Sequence, residues 1–374
     1  MKIIYITNAR LPTEWAHGLQ IMKTCEALVN AGVALEVWTP ARAVHLAQSP
    51  FSYYRILSTF PIRRLFTIDV ALWGKAGFLI QAFSFAAAAR IKLFFEKKPD
   101  IIYCRDEAVA ALLIFFGTKH VVWESHDGVW NLWARYAART GQALVVVSNG
   151  LKESYTEKGV SKEKIFVIPN GIDLDGFAHP ESREASRMRL GLPLDKKVAL
   201  YVGMLNGWKG TDTLLASVAH LPADTLLAVI GGEGAPLVER LAKQYPSVRF
   251  LGYRPQGELP DNLASADVLV LSNTAKNTIA ARFTSPLKLF AYMASKKPIV
   301  LPDLPSMREL VDEESAYLVP PDSPEALARG IETALADPEG AKKRADAAYE
   351  RVKEYTWEAR AHKITHLIMA ESRI

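Results

Sequence analysis

Short apolar runs alternate with amphipathic stretches along almost the whole chain. Ile3-Ile4-Tyr5-Ile6 predicts a buried strand, followed by a polar loop and a helix over 19–31 that stops at Gly32. Apolar runs at 34–38, 101–103, 121–123, 144–147 and 165–168 predict further strands. Unbroken apolar strands separated by helices indicate a parallel sheet covered on both faces. The pattern pauses at Pro169-Asn170-Gly171-Ile172-Asp173 and crosses a charge-rich stretch over 178–197. It restarts with strands at 198–202, 225–230, 248–251, 268–271 and 298–301. The result is an α/β chain of two doubly wound, Rossmann-like halves joined near 175–195. The domains are expected at 1–177 and 178–355, with a closing amphipathic helix within 356–374 packing back on the first half. Ligands of such sheets bind at the carboxyl ends of the strands where the strand order reverses. Two such domains facing each other place the site in a cleft.

Composition narrows the class. The 374 residues suit two domains, and 49% hydrophobic with 23% charged residues excludes a disordered chain. Two cysteines, Cys25 and Cys104, exclude a disulfide framework and a thiolate metal cluster. The start MKIIYITNAR lacks the basic region and cleavage site of a secretory signal. The longest uncharged run in the hydrophobic region, 76–89, is bounded by Lys75 and Arg90, so no apolar stretch is expected to reach the ~20 residues of a spanning helix. A cytoplasmic protein is expected. A net charge of +5 without a zinc-finger or aromatic RNA-binding motif does not indicate a nucleic-acid partner. Arg63, Arg64, Lys75, Arg90, Lys92, Lys97 and Lys98 gather beside long apolar runs. Over 60–98 that combination fits peripheral contact with an anionic membrane, or a core helix with solvated ends.

Three segments carry candidate chemistry. Gly18 opens a helix, which admits either an anion at the exposed N–H groups or simply a tight helix entry. Gly203 and Lys209 lie in YVGMLNGWKG, a strand running into a glycine-flanked loop, where a lysine can set a point charge on a phosphate. In TSPLKLFAYMA, Thr284 or Ser285 as cap and Pro286 at the first helical position predict a helix start. The N–H groups of Leu287 and Lys288, with the Lys288 side chain, would cradle a diphosphate.

Taken together, NARLPTEWAHGLQIMKTCEAL, PDIIYCRD, VVWESHDG, YVGMLNGWKG, AVIGGEG, FLGYRP, ADVLVL and SPLKLFAYMASKKPIV with SMREL resemble the family 4 type of GT-B glycosyltransferase. That family consists of retaining enzymes that use nucleotide sugars. The resemblance covers nearly the whole chain. It implies a phosphate-binding role for Lys209, a helix N-terminus under the diphosphate at Ser285, Pro286, Leu287 and Lys288, and a phosphate-closing role for Gly18. His126 resembles an acceptor-side wall histidine, against the plainer reading of a hydrogen-bonded structural group, and Arg105 and Asp106 lie in a matching strand-end loop. Tyr253 and Arg254 match the base-pocket loop, and Glu309 an acidic position near the nucleotide. His17 reads as structural, and Glu124 with Asp127 merely flank one turn.

The departures are Phe283 and Ala291, where relatives carry two glutamates, and Met204, where they carry an arginine. A lost charged hydrogen bond to a ligand costs ~1.5–3 kcal/mol. Arg282 or Lys276 could compensate. The implied function is metal-independent, retaining transfer of a sugar from a nucleotide-diphosphate sugar to a glycan or lipid-linked acceptor in envelope or exopolysaccharide synthesis. No cofactor or metal is expected. The alternatives are a catalytically impaired nucleotide-sugar-binding scaffold and a sugar-nucleotide epimerase.

Overall fold

The computed structural model describes residues 1–43, 46–70, 73–232 and 234–371. Glu233 of the AVIGGEG turn and the tail 372–374 lie outside them. The chain forms two units, one comprising Met1–Gly171 with the helix Trp357–Glu371, the other Ile172–Thr356. The boundary at Gly171 precedes the expected 177.

The first unit is a seven-stranded parallel sheet of β1 (Lys2–Ile6), β2 (Ala34–Pro40), β3 (Ile62–Leu65), β4 (Ile101–Cys104), β5 (Val121–Ser125), β6 (Ala143–Val146) and β7 (Ile165–Val167). Their order is β3-β2-β1-β4-β5-β6-β7, so the direction of winding reverses between β1 and β4. β1, β4 and β6 are buried almost without interruption, as strands covered on both faces must be. β3 was hidden in the sequence because Arg63 and Arg64 stand on an exposed edge.

The second unit has six parallel strands: β8 (Lys197–Val202), β9 (Thr225–Ile230), β10 (Arg249–Phe250), β11 (Val268–Val270), β12 (Ile299–Pro302) and β13 (Tyr317–Val319). Their order is β10-β9-β8-β11-β12-β13, reversing between β8 and β11. The charge-rich stretch read as a junction belongs to this unit. Ser182 caps a helix, Arg183–Leu190, through the Ala185 N–H, and Gly191 ends it at φ +65°. Arg187 in that helix is fully buried, donating to Asp267 at 2.5 Å and to the carbonyls of Ser265 and Lys196 at 2.9 Å. A charge pattern that reads as solvated is thus a core fastening.

The expected absence of a long apolar helix needs correction. Gly74–Phe95 is one helix of 22 residues with mean hydropathy 1.5, long and apolar enough to cross a membrane by length and composition. Lys75, Arg90 and Lys92 interrupt the sequence run without ending the helix. Gly77, Gln81, Ala82, Phe85, Ala86 and Ala89 form its buried stripe, while Ile80, Phe83, Ile91, Phe94 and Phe95 are exposed.

Candidate functional site

In the second unit, a pair of ammonium groups collects where the strand order reverses. Gly203 follows β8 at φ +145°, and a Cβ there would lie 2.8 Å from Lys288 Nζ. Glycine therefore lets the ammonium rest against the backbone. Lys288 Nζ donates to Tyr201 Oη at 2.9 Å and sits 4.2 Å from the centre of that ring. Tyr201 Oη donates in turn to the Met204 carbonyl at 2.8 Å.

Lys209 ends the short 3₁₀ turn Gly207–Lys209, with its ammonium 3.5 Å from the centre of the Trp208 ring. The Ser272 hydroxyl, just past β11, donates to the Lys209 carbonyl at 2.8 Å. Gly210 seals the loop: a Cβ there would meet the Ser272 carbonyl at 1.6 Å. Burial pushes Lys209 down to about 8, and burial together with the Lys209 charge holds Lys288 well below the usual lysine value. Among the described residues, neither ammonium has a carboxylate partner. Two desolvated cations, one lowered further by the other and neither with a counterion among the described residues, form an anion site. Asn273, wholly buried beside Ser272, has neither amide atom partnered.

The helix below this pair begins one residue later than expected. Pro286 is the cap rather than the first helical residue, in extended conformation with no side-chain cap, and the helix spans Leu287–Ala294. A short π-helical turn, Ile279–Phe283, leads into Thr284, whose N–H bonds Ile279 O at 3.0 Å. Leu289 N–H closes onto Pro286 O at 2.9 Å, which leaves Leu287 and Lys288 as first-turn donors without an intrahelical acceptor. Phe283 and Ala291 are buried among apolar neighbours. Tyr253 is exposed on the loop after β10, and the Arg254 Nε beside it is buried without a partner. Glu309 follows the helix Pro305–Arg308, and its charge acts on Tyr355.

The first unit places a second group at the carboxyl ends of β4 and β5. Arg105, Glu107, Trp123, Ser125, His126, Asp127 and Val129 line a pocket of about 160 Å³. Arg105 Nε and Trp123 Nε1 are buried without partners. His126 Nε2 lies 2.6 Å from Glu124 Oε1. The same oxygen accepts from Arg360 Nη2 at 2.6 Å and Gln20 Nε2 at 3.0 Å, while Tyr103 donates to Oε2. Burial outweighs Glu124 and pushes His126 down to about 4, helped by Arg105. Burial does the same to His17, again to about 4, with Arg105 and His126 adding to it. Both imidazoles are neutral at pH 7.

Two sequence candidates turn out to have visible structural duties here. Asp106 caps the helix Glu107–Phe115 by accepting from Val109 N–H at 3.1 Å, and burial, then Glu107, pushes it up to about 7. Gly18 lies inside a helix that starts at Ala16, not at 19, and its N–H already bonds Trp15 O at 3.0 Å. A Cβ at Gly18 would sit 2.0 Å from Tyr54 Oη, which clamps both the N–H and the carbonyl of Thr13. The absent side chain serves packing. Sequence reasoning set His17 aside as structural and Glu124 as flanking a turn, and it missed Tyr201 and Arg360. His17 adjoins Gly18 in the family-like motif, which was a usable signal, whereas Arg360 on an amphipathic helix reads as solvent-facing.

Comparison with known proteins agrees with this division. The Glycosyltransferase Family 4 model matches residues 18–175, and the Glycosyl transferases group 1 model matches 182–351. A Bacillus subtilis glycosyltransferase named for teichuronic acid biosynthesis is 31% identical over 51% of this chain and 46% of its own length. The D-inositol 3-phosphate glycosyltransferase of Xylanimonas cellulosilytica is 31% identical over 59% of this chain and 56% of its own. The chain thus spans about half the length of the curated relatives it matches. Anabaena HepE, solved with UDP and glucose, superposes with a TM-score of 0.79 at 18% identity, covering 99% of this chain and 100% of that one. The first unit's sequence thus belongs to Glycosyltransferase Family 4 over 18–175, the second's to the Glycosyl transferases group 1 over 182–351, and the full-length structural match with two parallel sheets in this strand order shows the GT-B glycosyltransferase fold.

Proposed function

We propose that this chain is a retaining, metal-independent enzyme that moves a sugar from a nucleotide-diphosphate sugar to a glycan or lipid-linked acceptor in cell-envelope or exopolysaccharide synthesis. The carrying observation is the Lys209–Lys288 pair, desolvated and, among the described residues, without counterion at the reversal point of the second sheet. Negative charge grows on the departing diphosphate as the glycosidic bond breaks. Both ammonium groups and the Leu287 and Lys288 N–H groups are placed to stabilise it. A phosphate oxygen then takes the acceptor's proton on the face the diphosphate leaves, so a separate carboxylate base is unnecessary. HepE, the structural neighbour, is described with UDP and with UDP-glucose, which makes uridine nucleotides the first donors to try.

The acceptor is assigned to the first unit's pocket, with His126 and Arg105 on its wall. The exposed face of the helix Gly74–Phe95, with Phe94 and Phe95 beside the exposed Lys97 and Lys98, supports peripheral docking on the cytoplasmic face of an anionic membrane. The test is a mass-spectrometric screen of nucleotide sugars for hydrolysis and transfer, repeated with Lys209→Ala. A loss of roughly 10²–10³ in turnover is expected, and unchanged turnover with the correct donor refutes the assignment. Buried Phe283 and Ala291 at the glutamate positions favour a second reading, a binding scaffold. Calorimetric binding of a nucleotide sugar without any transfer would select it, and acceptor-free conversion of the donor would select an epimerase.

A further inference from the structure

One side-chain assembly in the first unit is more elaborate than a structural histidine requires. Three donors converge on Glu124 Oε1: His126 Nε2 and Arg360 Nη2 at 2.6 Å each, and Gln20 Nε2 at 3.0 Å. Arg360 is itself fixed from three other directions. Its Nε donates to Thr24 Oγ1 at 3.1 Å, and its Nη1 to the carbonyls of Ile168 at 2.6 Å and Pro169 at 2.8 Å. The arginine side chain is 1% exposed and the glutamate side chain 0%. For His126 Nε2 to be an acceptor, Glu124 would have to carry a proton, and a guanidinium at 2.6 Å forbids that. Nε2 therefore carries the hydrogen.

We infer that Arg360 and Glu124 are positioning residues that fix His126 in the neutral tautomer protonated on Nε2, leaving Nδ1 to meet the pocket's ligand as a hydrogen-bond acceptor for a sugar hydroxyl. This rests on the reading of His126 as a ligand-facing wall of that pocket. All the charged and titratable groups around the ring act consistently. Arg105 from the end of β4 and Arg360 from the closing helix are the positive groups, and His17 from the helix Ala16–Asn30 is neutral. Glu124 contacts the ring directly, Tyr103 hydrogen-bonds Glu124, and Glu107 and Asp127 stand across the same pocket. Burial and Arg105 are the main causes that keep the ring neutral, and Arg360 offsets part of the Glu124 charge. Without that arginine, the carboxylate would draw a second proton onto His126 at a higher pH. Nδ1 would then become a donor, and a sugar hydroxyl would lose its acceptor.

The first experiment needs no substrate. Long-range ¹H–¹⁵N spectra of histidine-labelled full-length protein, with the His126 signal identified by His126→Asn, should show a protonated Nε2 and a bare Nδ1 from about pH 5.5 to 8. An Nδ1–H tautomer or an imidazolium at pH 7 overturns the inference. The second compares Arg360→Met with the charge-keeping Arg360→Lys. In the methionine variant the acid limb of kcat/KM should move up by about one pH unit, with a higher acceptor KM, and lysine should restore it. A methionine variant that is folded and has an unshifted limb also overturns it. If Arg360→Met does not fold, the wild-type spectrum alone decides. Should no donor be turned over while the spectrum is as expected, the proposed function fails and the tautomer assignment stands.

Discussion

Binding of the donor should be accompanied by proton uptake, because the two lysines that would receive its diphosphate are partly neutral before it arrives. Lys209 is pushed down to about 8, so at pH 8 about half of it is uncharged. Lys288 is held well below the usual lysine value by burial and the Lys209 charge, so it can take up a proton as well. A phosphate charge about 4 Å from an ammonium is worth about 4 kcal/mol at an effective dielectric near 20, or about three pKa units. That returns both groups to the charged form. At pH 8 the uptake is then about 0.5 proton at Lys209, with any share of Lys288 added to it. The Lys209 share alone makes the association constant fall about three-fold per unit rise in pH near pH 8. Titration calorimetry of the nucleotide sugar in two buffers of different ionisation enthalpy reads the number directly. Lys209→Met should remove the Lys209 share, which at pH 6.5 is already nearly absent in the parent. Equal heats in both buffers at pH 8 would show that both lysines are charged in the free protein, and the desolvated anion site would be refuted.

Three other outcomes follow from particular contacts. Between about pH 6.5 and 4.5 the unfolded chain protonates His17 and His126 while the fold, holding both near 4, does not, so acidification destabilises; Asp106, held near 7 in the fold, works the other way. Two protons against one leave a loss of about 1.4 kcal/mol per pH unit in urea unfolding, and His17→Asn with His126→Asn should reverse the slope; an unchanged slope rejects the burial of both rings. Gly203→Ala places a side chain at φ +145° against Lys288 Nζ, so about 1–3 kcal/mol of stability should disappear along with at least a tenfold rise in donor KM; a normal KM would mean Lys288 is elsewhere. Pelleting with anionic liposomes at low salt should carry the protein down and Phe94→Glu with Phe95→Glu should leave it in solution, whereas absence of parent binding refutes the docking face.

The parallel sheets were legible because a strand buried on both faces has no polar positions: β1, β4, β8 and β11 stand in the sequence as bare apolar runs. β3 and β13 were not, since an edge strand keeps polar or half-exposed positions, and Arg63 and Arg64 look like surface charge from either side of the question. Lys209 and Lys288 were found by their neighbours in the motifs. What made them chemically unusual, the Tyr201 hydroxyl and the missing carboxylates, is a matter of proximity between distant segments. Arg187 and Arg360 show the limit most clearly. Each sits in a helix whose composition suggests a solvated face, yet each is buried by partners 80 and 236 positions away. No local pattern encodes such a partner.

The distribution of carboxylates bears on how the acceptor would lose its proton. Among the described residues of the second unit the two cations stand without one, and the glutamate positions of relatives are occupied by buried Phe283 and Ala291. In the first unit each acid near His126 is already committed. Glu124 is ion-paired to Arg360, and Asp106 accepts the Val109 N–H at a helix start. Asp127 accepts the Val129 N–H in its own turn, and Glu107 accepts from Asn131. His126 is hydrogen-bonded through Nε2 to a carboxylate whose charge Arg360 offsets, so it has little tendency to keep a proton. A general base should hold its proton near neutral pH; of these groups only Asp106, held near 7, does so, and it is engaged with the Val109 N–H at a helix start. Under the proposed function the departing diphosphate, received by Lys209 and Lys288 and carrying the charge that bond cleavage releases, would itself take that proton. That supports attack from the face the phosphate occupies, and hence retention of configuration.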